Sequence, residues 1–134
     1  MDAYSENILD HYRSPRHRGI LSPADASAHD ANPACGDDFT LYLQLDSSNR
    51  VTAASFTGSG CAISTASADL LCESLKGKSL DELRGLDKDF SFSLLAVPIS
   101  AGRAKCALLP LKVLKLAVYS HLGKKLLENE GEFG

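Results

Sequence analysis

Asp38-Phe39-Thr40-Leu41-Tyr42-Leu43-Gln44-Leu45 alternates Phe39, Leu41, Leu43 and Leu45 with Asp38, Thr40, Tyr42 and Gln44, the period-two pattern of a strand with one buried face. Asp46-Ser47-Ser48-Asn49 is turn chemistry, and Val51 to Thr57 is rich enough in strand-forming residues to return beside it. Gly58 and Gly60 then end the pairing. The resulting antiparallel hairpin brings the segment before residue 38 and the segment after residue 57 to the same end of the sheet. Cys35 and Cys61 occupy those two places.

Helical spacing dominates elsewhere. Ser5 to Arg13 sets Ile8, Leu9 and Tyr12 on one face, with Ser5 as cap and Pro15 as stop. Gly19 to Pro33 has no sustained periodicity and reads as an ordered but irregular connection. Ala62 to Lys76 carries Ile63, Ala66, Leu70, Leu71 and Leu75 at helical intervals and ends at Gly77, with Cys61 at its N-terminal edge. Ser79-Leu80-Asp81-Glu82 is a capping box opening a short helix to about Leu86. Asp87 to Gly102 matches no simple pattern. A final helix carries Leu108, Leu111, Leu114, Ala117, Val118 and Leu122 on one stripe, with Lys112 and Lys115 off it. Pro110 suits only a first turn, so this helix is expected to begin near Leu109, with Cys106 just before it and a fraying charged tail after Gly123.

A length of 134 residues suits a single domain spanning 1–134. With 44% hydrophobic and 23% charged residues the composition is that of an ordinary globular chain. The net charge of -3 gives no electrostatic basis for nucleic-acid binding, and the groups Arg13 to Arg18 and Lys124-Lys125 read as solvated surface charge. No basic start leads into an apolar core and no 18-residue apolar run exists, so a cytoplasmic location without a membrane partner is expected. In a reducing cytosol the four cysteines are better read as thiol ligands or nucleophiles than as a disulfide framework.

Three of them keep company suited to a reactive thiol. Cys35 lies in Asn32-Pro33-Ala34-Cys35-Gly36-Asp37, Cys61 follows Gly58-Ser59-Gly60 at a helix start, and Cys106 follows Arg103-Ala104-Lys105, whose cations raise its thiolate fraction. Because 25 residues separate Cys35 from Cys61 and 44 separate Cys61 from Cys106, no zinc-finger spacing is present. Any shared site must be assembled in three dimensions. Read as extended, Cys35-Gly36-Asp37 points thiolate and carboxylate to one side. Three thiolates and the Asp37 carboxylate suit zinc, and the same thiolates suit an iron–sulfur cluster. His29 reads as a solvated loop histidine, and Cys72 as a small buried hydrophobe, too far along the helix from Cys61 to share an ion.

The segments Asn32 to Asp37, Gly60-Cys61-Ala62-Ile63-Ser64-Thr65-Ala66-Ser67 and Arg103-Ala104-Lys105-Cys106-Ala107-Leu108-Leu109 resemble the three cysteine motifs of the IscU/SufU/NifU N-terminal family. Tyr4 to Gly19, with Asp10-His11-Tyr12 and Ser14-Pro15-Arg16, and Lys76-Gly77-Lys78-Ser79 extend the likeness over nearly the whole chain. The resemblance implies an α+β fold, a small antiparallel sheet packed by helices. It implies iron–sulfur cluster assembly, with sulfur accepted from a cysteine desulfurase and passed with iron to acceptor apo-proteins or a further assembly scaffold. Cys35, Cys61 and Cys106 take the ligand roles for zinc, iron or a transient 2Fe-2S cluster, Asp37 completes the metal sphere or tunes its lability, and Cys35 and Cys106 are the candidate catalytic sulfur acceptors. Lys105 before the third cysteine is similar to the zinc-dependent SufU branch, whereas the short spacing from second to third cysteine is similar to IscU. Two alternatives accompany this reading: a zinc-dependent sulfurtransferase that activates the desulfurase without holding a cluster, and a non-catalytic zinc docking module.

Overall fold

The computed structural model describes residues 6–34 and 36–133, and side chains as far as residue 123. Helix α1 (Glu6–Arg13) is followed by strands β1 (Ala26–Asn32), β2 (Asp37–Leu45) and β3 (Val51–Ser59), then helices α2 (Ala62–Leu75), α3 (Leu80–Arg84), α4 (Lys88–Leu95) and α5 (Ala104–Phe133), with a 3-10 turn at Ala101–Arg103 leading into α5. The sheet has the order β1-β2-β3 and is antiparallel throughout. This is the α+β architecture expected.

The hairpin forms where its alternation predicts. Phe39, Leu41 and Leu43 are buried, opposite Gly58, Phe56 and Ala54 of β3, and Phe39 meets Phe56 edge to face with ring centroids 5.9 Å apart. Asp46 builds the turn by accepting the backbone N–H groups of Ser48 (2.8 Å) and Arg50 (3.0 Å). The main core lies between this sheet face, Leu71 and Leu75 of α2, and Leu109, Leu111, Val113, Leu114, Ala117 and Val118 of α5. A second cluster joins Ile8, Ile63, Ala66, Leu70, Leu95 and Ala107 across α1, α2, α4 and α5.

Three expectations require correction. The connection from Gly19 to Pro33 contains strand β1, whose residues Ala, Ser, His, Asp and Asn are poor strand formers. Pairing with β2 (Ala28 with Leu41, Asp30 with Phe39), cover from α5 and the Lys112–Asp30 ion pair at 2.9 Å override that preference. The unassigned stretch after Asp87 contains α4, capped by the Asp87 carboxylate accepting Phe90 N–H at 3.0 Å. Helix α5 begins at Ala104 and not near Leu109, so Cys106 is in its first turn and Pro110 is inside it. Pro110 has no N–H for the carbonyl of residue 106. Burial of Cys106 and Ala107, and the Ser67 hydroxyl donating to the Ala107 carbonyl at 2.7 Å, hold that turn in place.

Smaller departures follow the same logic. The Ser5 cap lies outside the described residues; on α1, Ile8 is buried as expected, but Tyr12 is 43% exposed and His11 takes the inward place. The Ser79–Glu82 capping box is reciprocal, as expected, and its helix ends at Arg84. The backbone of α5 stays helical to Phe133. Ala101–Gly123 is apolar and long enough to cross a membrane by length and composition alone, but half of the window is buried inside the fold. Cys72 is buried in the main core, and burial pushes its thiol pKa up.

Helix α1 is tied to α2 through one carboxylate. Asp69 is fully buried; its Oδ2 bonds the His11 ring, and its Oδ1 accepts the His17 backbone N–H at 2.8 Å with the His17 ring at 3.3 Å. Asp69→Ala leaves buried His11 without that partner, and urea unfolding should show a loss of about 1–3 kcal/mol.

Candidate metal centre

Period-two alternation in β2 does more than bury hydrophobes. One step before Phe39 on the same face is Asp37, at 1% exposure, opposite Asn32 of β1. A carboxylate delivered to a core face must find hydrogen bonds or a cation, because burying it unpaired is costly. Its partners come from the segment after β3. Asp37 Oδ1 accepts the backbone N–H of Cys61 at 3.0 Å and the hydroxyl of Ser64 at 3.0 Å. Asp37 Oδ2 is buried and has no hydrogen-bond partner among the described residues.

The backbone crossing over Asp37 is close. A Cβ on Gly60 would sit 2.5 Å from Asp37 Oδ1 and 2.3 Å from Ser64 Oγ, so a side chain there would displace one of them. Beyond Gly60, Cys61 is the N-cap of α2 in extended conformation, and its sulfur accepts the Ser64 backbone N–H at 3.4 Å. The thiol thus occupies the positive end of a 14-residue helix. From the opposite side, the first turn of α5 presents Cys106, which is fully buried. The ligand atoms of Asp37, Cys61 and Cys106 all lie within 4.8 Å of one another, with Cys61 partly exposed between two buried groups. None of Cys61, Cys72 and Cys106 is in a disulfide.

The expected constellation is therefore brought together in three of its four members. Cys35 lies outside the described residues. Its neighbour Gly36 has φ +71, and its N–H reaches the Pro33 carbonyl at 3.3 Å, so Gly36 itself is a turn residue and not extended as expected. Asp37 faces inward because β2 begins at it and alternates from it. Arg103, in the 3-10 turn, and Lys105 are exposed. Lys105 and Lys112 flank an open groove of about 400 Å³ floored by Ala31, Pro33, Leu108 and Leu109, between the end of β1 and α5. His29 is on β1, not in a loop, and its ring bonds Asp38 at 2.6 Å on the exposed sheet face. Cys72 is not among the grouped ligands.

Two residues of the centre lie outside the expectation from sequence. Ser64 is the third residue of α2 after the Cys61 cap, the place from which a backbone N–H returns to a capping side chain. That counting rule, applied to Cys61 as to Ser79, identifies it. Gly60 reads along the chain only as a strand breaker, and nothing local reveals that a carboxylate lies where its side chain would be.

Comparison with known proteins agrees with this geometry. Residues 3–128 match the model of the NifU-like N terminal domain. The chain is 35% identical to the zinc-dependent sulfurtransferase SufU of Bacillus subtilis, over 90% of this chain and 92% of that one. It is 32% identical to the iron-sulfur cluster assembly scaffold protein IscU of Escherichia coli, over 92% and 97%. Among solved structures, a SUF-system iron-sulfur cluster assembly scaffold described as putative, from Fervidobacterium islandicum, superposes with a TM-score of 0.74 at 30% identity over 87% of this chain and 96% of that one. With the matched domain spanning the sheet, all three cysteine motifs and Asp37, this chain belongs to the family of NifU-like N-terminal domains that includes IscU and SufU.

Proposed function

We propose that this chain is an iron–sulfur cluster assembly protein that accepts sulfur from the persulfide of a cysteine desulfurase and binds iron, a transient 2Fe-2S cluster or zinc. The observation that carries the reading is the convergence of Asp37, Cys61 and Cys106, with ligand atoms within 4.8 Å of one another. The buried Asp37 Oδ2, without a hydrogen-bond partner among the described residues, supports a cation there, since a metal ion would satisfy that oxygen. The metal would be held by the Cys61 and Cys106 sulfurs and Asp37 Oδ2, with Cys35 as fourth ligand. Two or three thiolates beside a carboxylate suit zinc and iron alike, and a bound metal keeps those thiols deprotonated. Recipients of the assembled cluster or sulfur would be acceptor apo-proteins or a further scaffold.

Sulfur transfer follows thiol exchange chemistry. The acceptor thiolate attacks the outer sulfur of the donor persulfide; a new S–S bond forms as the donor's breaks, the donor leaves as thiolate, and any proton on the outer sulfur travels with it. Such attack needs access. Cys106 is fully buried while Ala34 and Gly36 on either side of Cys35 are exposed, which favours Cys35 as first acceptor and leaves Cys106 to act after opening of the first turn of α5. Arg103 and Lys105, exposed at that turn, would attract an anionic persulfide and support thiolate at Cys106.

A second reading, a zinc-dependent sulfurtransferase that activates the desulfurase without holding a cluster, is favoured by Lys105, which offers no thiolate or imidazole to a cluster at the place before Cys106. Anaerobic incubation with desulfurase, cysteine and iron separates the readings. A cluster scaffold acquires visible charge-transfer absorption, the expected result; a transferase accelerates alanine release and stays colourless; a docking module does neither. Asp37→Ala should weaken zinc binding by more than about tenfold in competition with a chelator. Mass spectrometry after desulfurase treatment should find an added sulfur on Cys106→Ser protein and none on Cys35→Ser protein; the reverse pattern assigns first acceptance to Cys106.

A further inference from the structure

We infer that Ser64 is the positioning residue that makes Asp37 a one-oxygen ligand. The inference rests on the proposed ligand set and adds to it a residue that binds no metal. Ser64 holds two ligands at once. Its hydroxyl is 3.0 Å from Asp37 Oδ1 and its backbone N–H is 3.4 Å from the Cys61 sulfur. The hydroxyl has one proton and two oxygen acceptors in reach, Asp37 Oδ1 at 3.0 Å and the Cys61 carbonyl at 3.1 Å, with the Cys61 sulfur farther off at 3.5 Å. Asp37 Oδ1 is the nearest of these, and a metal-ligating Asp37, being a carboxylate, takes the proton, because a charge-assisted hydrogen bond is the stronger.

With the Cys61 N–H also at 3.0 Å, Oδ1 has two donors, its full share of the carboxylate's lone pairs. Only Oδ2 is left to a cation. Ser64 is itself fully buried, so no water replaces it freely, and the space the pair occupies exists because Gly60 has no side chain. Loss of the hydroxyl removes one of the two bonds that fix the carboxylate's rotation. Asp37 then turns, to chelate through both oxygens or to leave the centre. Outer-shell groups of this kind set metal affinity by orienting the ligands they touch.

Zinc affinity of the full chain, measured by chelator competition, tests this in a double-mutant cycle. Ser64→Ala keeps the backbone N–H and so keeps the α2 cap. It should weaken zinc about tenfold to a hundredfold, whereas Ser64→Thr, which retains the hydroxyl, should bind close to the unmodified protein. In the Asp37→Ala background, Ser64→Ala should add nothing, since its action passes through that carboxylate. Gly60→Ala, whose Cβ would meet the same two atoms, reaches the pair by a separate route and should also weaken zinc only when Asp37 is present. Unchanged affinity in Ser64→Ala, or the same loss with and without Asp37, overturns the role of Ser64 alone. Unchanged affinity in Asp37→Ala overturns the ligand reading, and this inference with it.

Discussion

A carboxylate buried on the core face of a β-strand constrains everything around it. Asp37 stands in line with Phe39, Leu41 and Leu43, where a hydrophobe would be the easier occupant. Charge at such a place survives only if donors or a cation meet it. Half of that need is met by the Cys61 N–H and the Ser64 hydroxyl, both on Oδ1. These bonds require β3 to end opposite the start of β2, a glycine at the crossing and a helix beginning at Cys61. Hairpin register, Gly60 and the orientation of α2 together allow that one ionisable group to be met. The other half, Oδ2, meets no donor among the described residues.

The second buried carboxylate makes the contrast plain. Asp69, about two turns along α2 from Cys61, has both oxygens partnered, by His11 and by the backbone and ring of His17. It fastens α1 and the following segment to α2, and its hydrogen bonds close on themselves. Asp37 differs by an incomplete set at a place where two sulfurs also converge. Full satisfaction is what a fold needs from a buried polar group; an oxygen kept clear of protein donors beside neighbouring thiols is what a metal needs.

Burial also sorts the sulfurs. Cys72 sits in hydrocarbon, which raises its thiol pKa and leaves it inert. Cys61 caps α2 and is partly exposed. Cys106 is sealed in the first turn of α5, whose carbonyl at residue 106 meets no N–H at Pro110 and which Ser67 steadies. A turn that lacks this backbone bond is a natural place for opening. Ligation and sulfur transfer make different demands on a thiol, enclosure for one and access for the other.

Much of this is legible along the chain. Alternation from Phe39 to Leu45, the turn after it, the helical stripes of α2 and α5 and the Ser79 capping box are local signals, because side-chain direction and cap chemistry depend on neighbours a few residues away. They determined the hairpin, helices α1, α2 and α3, the body of α5 and the meeting of the Asp37 and Cys61 ends, but not α4, whose stretch matched no simple pattern. Strand β1, the early start of α5 across Pro110, the burial of Cys106 and the pairing of Asp69 with His11 and His17 were decided only by tertiary structure. Each depends on a partner in another element: β2 and α5 for β1, α2 for the first turn of α5, α1 for Asp69. Chemical identity was written in the order of residues; which oxygen of Asp37 is left open, and toward what, was decided by packing, because only close approach of distant backbone can occupy one lone pair and spare another.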